Sequence, residues 1–307
     1  MTRCGSHAAA AILWATAVPL GLGCGAAPEA RDAGTGVDAA NPAQTVCDGT
    51  ATLRVMMTVV NPEYRVLYGH RVMRENGAWY VLIDGRCRYW ASYPEELWAE
   101  LRTGTLDGET LGWLLADLHY DRWDELQGVY PPAPGVSDVS DAVFSDGERR
   151  IVCVGGCGAD VVPDEVKAMG NAVTPWATRL WESGTPVGSD VRVLVVGSGM
   201  EGEAVDLIQK SSWPVAGVGL HEIAIPYSEA EATISYGDGV RVTGTDADAL
   251  RRLRSEYMAD EHGVWWYRYI PIVDDAGALH ELYFRDTSPF ENDRGLIGWL
   301  HDPWTGP

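Results

Sequence analysis

Three of the five Asp-Gly pairs, those at 84–85, 146–147 and 238–239, punctuate short runs rich in β-branched and aromatic residues. Asp-Gly tolerates the positive φ angles of tight hairpin turns, so each pair predicts an antiparallel chain reversal. The clearest joins 78–83 (AWYVLI) to 86–92 (RCRYWAS). AVFS and RRIVCV flank the second pair. A further reversal is expected at Asp274-Asp275-Ala276-Gly277, between strands over 264–272 and 278–285. Runs at 51–60, 190–196 and 220–226 also read as strands.

Helical spacing appears between these runs. Leu111, Leu114, Leu115 and Leu118 place a helix over Asp107 to His119. Val166, Met169, Val173, Trp176 and Leu180 share one side of a longer helix, from Pro163 to about Trp181. A third helix is expected from Asp246, read as its N-cap, to Met258. Shorter helices are expected over PEELWAELRTG from Pro94 and near 202–210. Helices mixed with tight antiparallel turns predict an α+β fold, not a regular parallel sheet.

The ends of the chain divide differently. Residues 8–22 (AAAAILWATAVPLGL) form an apolar run behind Arg3, shorter than the roughly 20 residues a bilayer span needs. The run suits the core of a secretory signal. Residues 25–45 are small, polar and Pro/Gly-bearing without periodicity, which reads as a flexible tether. The expected organisation is a signal peptide over 1–23, a modified cysteine and tether over 24–46, and two α+β domains over 47–188 and 189–307.

Leu22-Gly23-Cys24 closes the signal, and this segment resembles the lipobox of bacterial lipoproteins. The resemblance covers the first 24 residues and carries location, not activity. It implies lipidation of the Cys24 thiol, cleavage just before it, and a mature chain that starts at Cys24. Several acyl chains give a stable anchor, because each buried methylene contributes about 0.8 kcal/mol. Gly25 stands where that family places Asp for inner-membrane retention, which implies the outer membrane. Ordinary signal cleavage after Ala26 is the rival, and it gives a soluble secreted protein.

Four cysteines then remain in the mature chain: Cys47, Cys87, Cys153 and Cys157. They allow three pairings. Cys153 and Cys157 bracket Val-Gly-Gly and suit a local bridge, which leaves Cys47 to pin the start of the folded region to Cys87. The spacing is not CxxC and no histidine is near, so no metal site is assigned.

Charge excludes one class of partner. With 23 basic and 44 acidic residues, the net charge of −21 repels phosphates and argues against nucleic acid.

Candidate chemistry is sparse. Gly197-Ser198-Gly199-Met200-Glu201-Gly202 matches GxGxxG after a strand, with Glu222 about 20 residues on, as in dinucleotide-binding folds. Glu201 and Glu203 would set two carboxylates beside a pyrophosphate, so the segment reads as a turn and no cofactor is expected. His221-Glu222 lacks the second histidine of HExxH, and alternation in HEIAIPY reads as strand. His119 ends a helix, where its ring is expected to cap carbonyls. No GxSxG is present. Asp274-Asp275, Asp138 with Asp141, and Asp246 with Asp248 do not fit a calcium loop.

Aromatic residues are abundant, with 13 Trp and 13 Tyr against three Phe. They cluster as Trp79-Tyr80, Tyr89-Trp90 and Trp265-Trp266-Tyr267-Arg268-Tyr269. Core packing accounts for most of them, and any left exposed would suit an envelope protein or a glycan. The reading favours a membrane-anchored binding or structural protein and assigns no catalytic residue. The competing reading is a secreted hydrolase whose acid–base site, with His221 or His119, assembles only in space.

Overall fold

The computed structural model describes residues 45–60, 78–93, 100–135, 140–188, 190–197, 211–226, 239–259 and 270–291. All of them fall within one compact unit, Ala40–Pro307, built on two sheets. The fold is α+β, with pairings mostly antiparallel.

The larger sheet holds β1 (Leu53–Val60), β2 (Ala78–Asp84), β3 (Arg88–Tyr93), β4 (Glu100–Thr105), β5 (Gly128–Tyr130), β6 (Asp141–Ser145), β7 (Arg150–Cys153) and β8 (Thr185–Pro186). Their order is β5-β7-β6-β1-β2-β3-β4-β8, and only β5 and β7 run parallel. The smaller sheet holds β9 (Val191–Gly197), β10 (Ser211–Ser212), β11 (Ala224–Ile225), β12 (Val240–Val242), β13 (Ile270–Val273) and β14 (Leu279–Asp286). It runs β10-β13-β14-β9-β11. The outer edge of β9 is shared, with β12 pairing along Val191–Val193 and β11 along Val195 and Val196.

Two reversals form where the Asp-Gly pairs predict them. At Asp84-Gly85 the turn leans on the segment entering β1: Gly49 donates to the Gly85 carbonyl at 2.6 Å and Gly85 to Thr52 at 3.0 Å. Gly85 lies against Asp48 and Thr50, where a Cβ has no room. The Cys47–Cys87 disulfide, Cα atoms 5.2 Å apart, closes the same corner. At Asp146-Gly147 the Asp146 carboxylate accepts the N–H groups of Glu148 and Arg149. The Cys153–Cys157 bridge is local, as its spacing suggests, with Gly155 and Gly156 at positive φ inside the loop.

Helices cover one face of the larger sheet. In α1 (Gly108–Asp117), Asp107 caps the N-terminus by accepting from Thr110 N–H at 2.7 Å. Leu111, Leu114, Leu115 and Leu118 are buried. A single turn, α2 (Trp123–Leu126), follows. It buries the Trp123 ring and directs its N–H to the Leu118 carbonyl at 2.8 Å. In α3 (Asp164–Ser183) the predicted stripe of Val166, Met169, Val173, Trp176 and Leu180 faces the core. The opposite sheet face buries Met56, Tyr80, Leu82, Trp90 and Leu101, with Phe290 packed edge-on to Trp90 at 5.1 Å. The smaller sheet packs Ile270, Ile272, Leu282 and Phe284 with Ala247, Leu250 and Leu253 of α5 (Gly244–Ala259).

Three local expectations differ from what forms. Residues 100–105 join the sheet as β4 and are not helical. Leu101 is fully buried, and Gly104 lies beneath the Tyr89 ring, where a Cβ would come within 2.6 Å of its hydroxyl oxygen. Sheet addition therefore overrides the helical period. Residues 220–226 form one turn, α4 (Leu220–Ile223), before the two residues of β11. Glu222 drives this by reaching back to Gly219 N–H at 3.1 Å. Asp246 is not the cap of α5, which starts at Gly244. Its carboxylate instead accepts from Ala216 and Gly217 N–H at 3.3 and 2.9 Å.

After Gly239, β12 pairs with β9. The expected helix at 202–210, residues 227–238 before Gly239, and 264–269 ahead of β13 lie outside the described residues.

Candidate functional site

Among the described residues three places concentrate polar or aromatic chemistry. The first is the β13–β14 hairpin. Asp274 Oδ1 accepts from Ala276 and Ala278 N–H at 3.0 and 2.7 Å, which closes the turn. Its Oδ2 stands 3.1 Å from His280 Nε2. The hydrogen bond to His280, with that from Ala278, holds the Asp274 carboxyl below its ordinary value. Among the described residues His280 Nδ1 is buried without a partner. In register, His280 lies between Ile272 and Gly197, so the imidazole occupies the sheet row that ends at the first glycine of the GxGxxG segment. A carboxylate that orients an imidazole is the arrangement of a general base, although it also serves as a plain hairpin staple.

The second place is an ionic seam where the sheets meet. Asp286 Oδ1 accepts from Arg251 Nε and Nη2 at 3.0 and 2.8 Å. Its Oδ2 accepts from Leu101 N–H of the larger sheet at 3.1 Å. Arg254 reaches Glu100 at 3.4 Å, and Glu100 accepts from Arg102 at 2.7 Å. The Arg102 guanidinium lies 3.6 Å above the Trp181 ring. Beside this chain, Glu291 receives Arg285 through both oxygens at 2.6 and 2.5 Å and Arg192 at 2.7 Å.

Asp286 and Glu291 respond oppositely. Burial pushes Asp286 up against the pull of Arg251 and Arg254. Burial also opposes ionisation of Glu291, but Arg285 and Arg192 prevail and hold it below the usual range. These guanidiniums are engaged by carboxylates, so the seam joins elements of structure.

The third place lies on α1 and α3. Trp113 is 50% exposed. The exposed Arg179 guanidinium stands 6.0 Å from its ring and 5.1 Å from that of Trp176. Trp176 is fixed by its N–H bond to Asp117 Oδ2 at 2.8 Å.

The remaining candidates disperse. His221 is exposed on α4, and His119 adopts a left-handed conformation with φ 45°. The His119 backbone N–H, not its ring, bonds Ala116. These two histidines lie in different halves of the chain, beside different sheets. Glu222 is engaged by Gly219, and β9 is flanked by antiparallel β14, whereas a dinucleotide fold flanks its first strand with parallel ones. Asp141 accepts from Gly155 N–H at 2.7 Å, and Asp248 pairs with Arg251. Among the described residues no group of three His, Cys, Asp or Glu is placed to hold a metal ion. No described helix is long and apolar enough to cross a membrane.

Of the aromatic pairs, Tyr80, Tyr89 and Trp90 are core and Trp79 is half-buried. Cys24, Asp138, Ser198–Gly202 and Trp265–Tyr269 lie outside the described residues. Sequence reasoning missed His280 with Asp274, and Trp113 with Arg179. The first pair was signalled by a tight turn between them, which brings residues six apart onto neighbouring strands. The second carried no local signal, because its members come from separate helices.

Comparison with known families, curated proteins and solved structures finds no match.

Proposed function

We propose that the chain is an exported lipoprotein, anchored by acyl chains on Cys24, whose disulfide-pinned α+β region acts by binding and not by catalysis. The observation that carries the reading is the Cys47–Cys87 bridge, which ties the first described residues to the β2–β3 hairpin. Such bridges persist in oxidising compartments, which a secretory signal reaches. Binding is favoured because Trp113 and Arg179 are exposed, whereas the charged seam is engaged internally.

Fractionation of cells fed a labelled fatty acid tests the anchor. Label and protein should co-sediment with membranes, and Cys24→Ala should lose both. A labelled, sedimenting Cys24→Ala variant contradicts the reading.

One observation favours a secreted hydrolase instead: the Asp274–His280 pair with its buried Nδ1. A fluorophosphonate probe that labels the wild type but not His280→Ala would support that alternative.

A further inference from the structure

Two faults in otherwise regular helices flank the same surface. Gly112 sits inside α1, next to Trp113, where glycine weakens a helix relative to alanine. A Cβ there would meet nothing within 4 Å, so packing does not require the glycine. Pro175 sits inside α3, exposed, and removes the hydrogen bond its N–H would give Asn171. It lies one turn before Arg179, on the same helix face. Local rules are broken most often where function needs the surface, and here both faults border the Trp113–Arg179 pair.

Arg179 makes no ion pair or hydrogen bond among the described residues, although the chain carries a net charge of −21. The Asp107 carboxylate feels it through space but is committed to Thr110 N–H at 2.7 Å. A cation held against two indole rings, with one ring half-exposed, complements a ligand that brings an anion and a flat apolar face together.

We infer that Trp113 and Arg179, with Trp176 buried beside them, form a shallow platform for a carboxylate-bearing saccharide, with its C–H face on the Trp113 indole and its carboxylate on the Arg179 guanidinium. The inference rests on the binding reading above. A saccharide fits better than a peptide because the platform is a rigid flat ring, whereas peptides are captured by a groove or an open strand edge.

The test is isothermal titration calorimetry of the mature full chain in detergent, with tetragalacturonate as probe and cellotetraose and tetra-aspartate as controls. Saturable binding of tetragalacturonate is expected, lost in Trp113→Ala and weakened about tenfold or more in Arg179→Ala. No saturable heat up to about 10 mM probe overturns the proposal, because that limit lies beyond useful affinity. So does equal binding of cellotetraose, or wild-type affinity in Trp113→Ala. Saturable tetra-aspartate without sugar binding overturns the saccharide while leaving the binding reading intact. Membrane anchoring is judged separately by mass.

Discussion

Asp286, on the last described strand of the smaller sheet, accepts the backbone N–H of Leu101 at 3.1 Å, 185 residues earlier in the chain and in the larger sheet. The same carboxylate is gripped by Arg251 of α5. A single buried group thus joins both sheets to the helix that covers one of them.

Glu291 and Asp286 should differ sharply when replaced by isosteric amides. Glu291 is favoured as the anion, and its loss removes the carboxylate that both Arg285 and Arg192 hold in a buried setting. Glu291→Gln should therefore cost about 3 kcal/mol at neutral pH. Asp286 is disfavoured as the anion, so Asp286→Asn should cost less. Urea denaturation of both variants checks the ranking, and equal costs contradict it.

The acid response follows from the same directions. Glu291 and Asp274 have folded values below their unfolded ones, so their contribution is present above the unfolded values of 4.5 and 3.8. That contribution is lost as pH falls through the folded values. Asp286 has the opposite sign: the fold holds its proton more tightly, so its contribution is present at low pH and lost as pH rises. Below about pH 4.5 the wild type should lose stability more steeply than Glu291→Gln, measured as denaturation midpoint against pH.

The disulfides should be unequal. Cys47–Cys87 closes a separation of 40 residues and Cys153–Cys157 a separation of 4. If restriction of the unfolded chain dominates, the long loop stabilises by about 2 kcal/mol more. Guanidinium denaturation of the two double Cys→Ala variants reads the difference directly. A larger loss from removing the short loop would contradict the entropic account.

Gly104→Ala should destabilise by about 1–3 kcal/mol, because the strand cannot move away from Tyr89 without breaking its ladder. Tyr89→Phe with Gly104→Ala should recover part of the loss, since the nearest clash is with the Tyr89 hydroxyl. Calorimetric melting of the single and double variants gives the comparison. No recovery would place the strain elsewhere.

Much of the fold was legible because local signals agreed. Asp84-Gly85 and Asp146-Gly147 carry turn chemistry, and the Leu and Val stripes of α1 and α3 carry the helical period. Leu101 and Gly104 were misread because their environment, the Tyr89 ring and a waiting sheet edge, is not local. Asp246 was misread for a related reason: its acceptors were needed by Ala216 and Gly217, 30 and 29 residues away in sequence. The candidate site was hardly legible. Trp113 and Arg179 lie on different helices, and His280 meets Asp274 only once the hairpin closes.

The central claim is an exported chain anchored through Cys24. The most direct test is the intact mass of the mature protein from its native host, with and without reduction and alkylation. The account predicts a chain that begins at Cys24 and carries acyl mass, with four further thiols appearing only on reduction. A full-length chain without acyl mass and with free thiols would contradict it.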